Sequence, residues 1–236
     1  GMGSLMGLDR LQNIKLFKDD CMNIMQNYPD NYFDLAVVDV PYGINASNTM
    51  TGFGAYTYLG GKKHVVAPTM HKKKDWDLSA PDVSYFEELF RISQNQIIWG
   101  ANHFIDRIPI NSSCWIIWDK LNGQSSFSDC ELAWTSFSRG VRKFTFKWAG
   151  FMQGNMKEKQ EKIHPTQKPK QLYSWIYENF ASKDHRIIDT HLGSGSSAIS
   201  AYYYQIKEFV GIEIDEEYFE TTIKRIDLET KQLHLL

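Results

Sequence analysis

Cysteine is scarce in this chain: Cys21, Cys114 and Cys130 are its three thiols in 236 residues, an odd number with no C-x-x-C pair. That pattern supports neither a disulfide framework nor a zinc site, so no metal is expected and the thiols read as reduced and structural. Long apolar runs are missing too. None approaches the roughly 20 residues that cross a bilayer, and no charged-then-apolar leader opens the sequence. The expectation is a soluble, cytoplasmic protein with no membrane partner. Gly1-Met2-Gly3-Ser4 reads as an appended remnant and is set aside. There is no excess of one charge sign either: the formal net charge is -2, so any contact with a polyanion must rest on local patches. Repeats and low-complexity tracts are absent. The length, with 42% hydrophobic residues, suits one well-buried α/β domain, expected over residues 5–236.

What is present is an alternation of two periods. Short β-branched or aromatic runs at Ile14 to Phe17, Leu35 to Val38, Ile97 to Trp99, Trp115 to Trp118, Leu132 to Trp134, Ile187-Ile188 and Phe209 to Ile212 read as core strands. Between them lie helical stripes: Tyr85, Phe86, Leu89, Phe90 and Ile92; Leu172, Trp175, Ile176 and Phe180; Tyr218, Phe219, Ile223 and Ile226. Strands alternating with helices predict an α/β fold with a mostly parallel sheet covered on both faces. Val141, Phe144, Phe146 and Trp148 sit close enough to the preceding strand to suggest one antiparallel hairpin. The stretch 43–79 is Gly-rich and weakly periodic and reads as a long mobile loop. It carries Lys62-Lys63 and His71-Lys72-Lys73-Lys74. A second basic cluster, Arg139, Arg142, Lys143, Lys147, Lys157, Lys159 and Lys162, marks 139–163 as a short insertion suited to phosphate contact.

Two local motifs carry chemistry. Arg186 to Asp189, then Thr190-His191-Leu192-Gly193-Ser194-Gly195, reads as a strand, a tight glycine turn and a helix opened by Ser196-Ser197. Glycines permit left-handed backbone and close ligand approach, and free N–H groups at a helix start favour an anionic group. Glu213, twenty residues beyond Gly193, ends the next strand, where a carboxylate can accept ribose hydroxyls. A nucleoside-type cofactor fits this pair. Only one further helix follows, whereas a dinucleotide fold needs more βα units downstream. Upstream, Asp39-Val40-Pro41-Tyr42 closes the first strong strand. An amino group on a base is a poor nucleophile because its lone pair is delocalised into the ring. A carboxylate and a backbone carbonyl, each accepting one N–H, can localise that pair, and a tyrosine face can hold an extruded base.

Together with His164-Pro165-Thr166-Gln167-Lys168-Pro169, these motifs resemble the amino-methyltransferases of DNA, in the permuted beta group that places the catalytic motif before the cofactor motif. The resemblance runs from Ile14 to Ile226. It implies a Rossmann-like S-adenosylmethionine-dependent methyltransferase fold, S-adenosyl-L-methionine as cofactor and double-stranded DNA as partner. It implies that Asp39 and the main chain of Val40 accept the target amino protons, on the turn set by Pro41, and that Tyr42 stacks on the flipped base. Asp189, His191, Gly193, Ser194 and Gly195 would surround the methionine part of the cofactor, His191 standing where an aromatic Phe is usual. Glu213 would hold the ribose and Asp20 the adenine amino group. Thr166 and Lys168 would lie near the methionine carboxylate.

Asp at the head of the first motif tilts the reading to adenine N6. Cytosine N4, an RNA substrate, a silent DNA-binding subunit and a dinucleotide oxidoreductase are the alternatives. The second position departs from the usual proline: Val40 adds an N–H and loosens φ. A homodimer and a restriction or phage partner are left open.

Overall fold

The computed structural model describes residue 8 and residues 10–42, 56–59, 62–65, 81–108, 110–123, 127–149, 152–154, 157, 159–164 and 166–231. In chain order the strands are β1 (Ile14–Lys18), β2 (Phe33–Asp39), β3 (Tyr56–Leu59), β4 (Lys62–Val65), β5 (Ser93–Trp99), β6 (Trp115–Asp119), β7 (Cys130–Thr135), β8 (Arg142–Thr145), β9 (Trp148–Ala149), β10 (Met152–Gln153), β11 (Arg186–Asp189) and β12 (Glu208–Glu213). The helices are α1 (Cys21–Met25), α2 (Val83–Ile92), α3 (Lys170–Phe180), α4 (Ser196–Tyr204) and α5 (Glu216–Lys231).

Eight strands make one sheet in the order β1-β12-β11-β2-β5-β7-β6-β8. The run from β1 to β5 is parallel throughout, and β7 is antiparallel to both of its neighbours. Phe33 to Val38 reads as a near-continuous apolar run because β2 lies mid-sheet, with Leu35 and Val37 on one face, Ala36 and Val38 on the other, and all four buried. One face joins a core cluster with Leu172, Ile176 and Phe180 of α3, Ala198 and Ile199 of α4, and Phe219 and Ile226 of α5. The buried residues of α1 and α2, among them Met25, Phe86 and Leu89, lie outside that cluster. Phe86 stacks at 5.3 Å on Phe104, and Phe90 meets Trp134 edge-on at 5.7 Å.

Local chemistry sets the helix ends. The Asp82 side chain caps α2 by accepting from the Tyr85 N–H, 3.3 Å away. Helix α5 carries Glu216 and Glu217 in its first turn and Lys231 in its last, matching its dipole. None of the described helices is long and apolar enough to cross a membrane.

Three expectations change. The antiparallel partner of β7 is not the 141–148 segment: β8 pairs parallel with β6, Ile116 opposite Arg142. The two antiparallel pairs of the main sheet are instead β5–β7 and β6–β7. Strand β8 is thereby the edge of the main sheet rather than part of an insertion. The 41–80 segment forms a compact unit of its own, and within it β3 and β4 pair antiparallel, Tyr56 opposite Val65, where no regular structure is expected. The rest of the 43–79 loop, His71 to Lys74 included, lies outside the described residues.

Candidate active site

In open α/β sheets ligands lie beyond the carboxyl ends of parallel strands. Here those ends are Lys18, Asp39, Trp99, Asp189 and Glu213, on neighbouring strands: Lys18 is opposite Glu213, Asp189 opposite Gly211 and Asp39 opposite Trp99. Asp39, the glycine turn and Glu213, residues up to 174 positions apart in the sequence, therefore share one edge.

The glycine turn is held from beneath. Asp189 is buried, with Oδ1 accepting the His191 N–H at 3.0 Å and Oδ2 the Ser197 hydroxyl at 2.6 Å. It braces the turn against the start of α4, and burial raises its pKa to about 7. Gly193 and Gly195 have φ of +54° and +79°, in the left-handed region. A Cβ on Gly195 would meet Thr222 Cγ2 at 2.7 Å and Ile226 Cδ1 at 2.9 Å, so that glycine is demanded by α5 packing. Arg225, buried on the same helix, donates to the Ser194 carbonyl at 2.8 Å and the Ser196 hydroxyl at 2.9 Å.

Glu213 receives the Gly193 N–H on Oε2 and the Asp215 N–H on Oε1, both at 2.9 Å. Each carboxylate oxygen has a second lone pair for a hydroxyl. Burial raises the Glu213 pKa while these N–H groups lower it. His191 is pulled down to about 4 by burial, with Asp20 opposing, so its imidazole is neutral at neutral pH. Its Nδ1 lies 2.9 Å from the Thr190 hydroxyl, itself 2.5 Å from the Tyr85 hydroxyl. Asp20 is exposed and caps α1 by accepting the Met22 N–H at 2.9 Å.

Asp39 lies elsewhere on the edge, in a charged setting that motif reading does not anticipate. Lys168 Nζ is 2.8 Å from Asp39 Oδ2 and 3.0 Å from Glu131 Oε2. Glu131 Oε1 in turn is 2.5 Å from Lys120 Nζ. Val40 is buried. Pro41 and Tyr42, both half-buried, open the 41–80 unit. Thr166 bonds locally, its N–H donating to His164 Nδ1 at 3.2 Å and its hydroxyl 3.1 Å from the same atom. The His164 ring packs 4.4 Å from Tyr218.

Glu131 and Arg225 are the residues that sequence reading passes over. Glu131 stands at the head of an apolar strand and Arg225 inside an apolar helical stripe; a charge in such a run is the available signal. Of the basic cluster, Arg139 is committed to the body: it donates to the Asn179 carbonyl at 2.7 Å and lies over Phe137 and Phe180. Gln153 and Gln160, within the 139–163 stretch, are buried and bonded to each other, with Gln160 also accepting from Arg225 at 3.3 Å.

Residues 138–224 match a family described as DNA methylase. That span contains His164, the glycine turn and Glu213; Asp39 lies outside it. The Type II methyltransferase M2.MboI of Moraxella bovis is 24% identical over 91% of this chain and 88% of its own length. Among solved structures, an M1.HpyAVI–SAM complex has a TM-score of 0.57 at 17% identity, over 90% of this chain and 98% of that one. The cytosine-N4-specific PvuII DNA methyltransferase has a TM-score of 0.55 at 11% identity, over 92% of each chain. These similarities bear out the resemblance to DNA amino-methyltransferases and the Rossmann-like methyltransferase fold.

Proposed function

We propose that this chain transfers a methyl group from S-adenosyl-L-methionine to the exocyclic N6 of an adenine flipped out of double-stranded DNA. The observation that carries the reading is the shared edge: Asp39, the glycine turn and Glu213 close three adjacent parallel strands. The residues fit the cofactor chemically. Glu213 offers lone pairs to ribose hydroxyls, the positive-φ glycines keep the turn open to close approach, and a neutral His191 sets no like charge against a sulfonium. When bound, the cofactor supplies an electrophilic methyl group.

The remaining work belongs to the chain. Asp39 accepts one N–H of the target amino group and the Val40 carbonyl accepts the other, which turns the nitrogen lone pair out of conjugation. Tyr42 offers a ring face to the extruded base. Asp20, Thr166 and Ser194 would complete the cofactor's surroundings. Because the second N–H is received by a main-chain oxygen, valine at position 40 is compatible with turnover. Asp at position 39, where relatives acting on cytosine more often carry Ser, favours adenine.

The test is transfer of labelled methyl groups to unmethylated DNA, with the nucleosides separated by mass spectrometry. N6-methyladenine is expected, and Asp39→Ala should lower the rate by roughly 100-fold or more while S-adenosylmethionine binding stays intact. N4-methylcytosine would keep the chemistry and change the base. No product despite cofactor binding would reject the reading in favour of an RNA substrate or a silent subunit.

A further inference from the structure

The ion pair at Asp39 reassigns a residue that the motif resemblance would give to the cofactor. Lys168 lies just ahead of α3, and its side chain is 5% exposed. Its ammonium sits between two carboxylates, Asp39 Oδ2 at 2.8 Å and Glu131 Oε2 at 3.0 Å, and 5.6 Å above the centre of the Trp99 ring. A third carboxylate, that of a methionine moiety, would have to approach this ammonium beside two anions already in contact with it. Such a place is electrostatically poor.

Glu131 is itself pinned by Lys120, whose Nζ lies 5.3 Å over Trp118. The charges thus alternate along Lys120, Glu131, Lys168 and Asp39, and the set is neutral as a whole. Buried charges persist when so paired, and removing one partner leaves the other uncompensated.

We propose that Lys168, anchored by Glu131 and Lys120, is the positioning residue for Asp39: it occupies Oδ2 and so reserves Oδ1 for the target amino group. The inference rests on the reading of Asp39 as the amino-proton acceptor. A protonated Asp39 would present an O–H donor to an N–H donor, so the reaction needs the carboxylate form. Burial pushes the Asp39 pKa up; Lys168 pulls it down, Glu131 pushes it up and Lys120 pulls it down. Tyr173 of α3 and Asp189 of β11 also feel its charge. Glu131, although burial opposes its charge, is held at about 2 by the two lysines. The two lysines thus favour its anion, which in turn holds Lys168 beside Asp39.

The experiment compares the wild type with Lys168→Met and Lys168→Arg, each checked by thermal melting. Three quantities are read: S-adenosylmethionine affinity by calorimetry, single-turnover methyl transfer against pH, and the carbon-13 carboxyl shift of Asp39, assigned with Asp39→Asn. In Lys168→Met the titration of Asp39 and the acid limb of the rate should both move to higher pH. The rate at neutral pH should fall by roughly 100-fold, with cofactor affinity essentially unchanged. Lys168→Arg should recover most of the loss by keeping the charge. If Lys168→Met does not fold, Lys168→Gln takes its place, because it removes the charge and keeps a side chain that can donate to Asp39. A large loss of cofactor affinity with an unchanged pH profile would return Lys168 to the methionine carboxylate and overturn the proposal. So would an Asp39 titration that stays unmoved in the variant lacking the charge. A wild type that transfers no methyl group fails the underlying function instead, and the carboxyl titration still judges the ion pair.

Discussion

Two neighbours at the glycine turn, Asp189 and His191, respond to pH in opposite senses. The folded Asp189 titrates at about 7 against an ordinary 3.8. Between those values the unfolded chain has already lost the proton that the folded chain keeps, so this group's contribution to stability declines as pH rises through that window. His191 runs the other way: its folded value of about 4 lies below the ordinary 6.5, so the unfolded chain binds the extra proton and stability falls as pH drops from 6.5 to 4. Relative to the wild type, Asp189→Asn should therefore gain stability as pH rises from about 4 to 7, by on the order of a few kcal/mol at most. An asparagine can keep both contacts, because the Ser197 hydroxyl can accept as well as donate. His191→Phe should gain relative to the wild type as pH falls below 6.5. Denaturant midpoints over a pH series check both, and parallel profiles for the two variants would remove the assignment.

The link between the glycine turn and α5 governs the next scale. Gly195 and Gly123 share positive φ, +79° and +66°, but a Cβ on Gly123 meets nothing within 4 Å. Gly123→Ala should thus cost only the backbone term, about 1–2 kcal/mol. Gly195→Ala adds collision with Thr222 and Ile226 and should cost roughly 2–5 kcal/mol. Thr222→Ser deletes the nearer methyl and keeps the hydroxyl that donates to the Gly193 carbonyl, so it should recover part of the loss in a urea-unfolding cycle. Additive costs in that cycle would mean that α5 does not constrain the turn. The glycine motif is legible in the sequence because a turn of this hand needs residues without a Cβ. That its second glycine answers to α5 is not legible, since nothing local to residue 195 names residues 222 and 226.

Across the whole molecule the basic cluster of 139–163 divides by what each cation already touches. Lys162 lies 4.6 Å over the Trp148 ring and belongs with Arg139, whereas Arg142 and Lys143 are exposed on the edge strand β8, with no ring beneath them among the described residues. Replacement of these two by Gln should weaken DNA binding evenly across sequences. The slope of log affinity against log salt should also flatten by about 0.9 per lost phosphate contact. Arg139→Ala, which strips a cation from Phe137 and Phe180, should lower the melting temperature and leave the salt slope alone. Fluorescence anisotropy over a salt series separates the two; an unchanged slope in the Arg142→Gln, Lys143→Gln double variant would remove this face as a phosphate track. Strands β1, β2, β5, β6, β7, β11 and β12, the helices α2 to α5, the turn at Gly193 to Gly195 and the acids that end β2 and β12 are legible in the sequence alone, because period, glycine placement and strand-ending acids are local signals. Tertiary structure alone decided that β8 joins β6, that Arg225 props the glycine turn, and that Lys168 meets Asp39 across 129 positions. Those pairings depend on which strand lies beside which in the folded sheet, and burial then forces the charges brought together there to find partners among themselves.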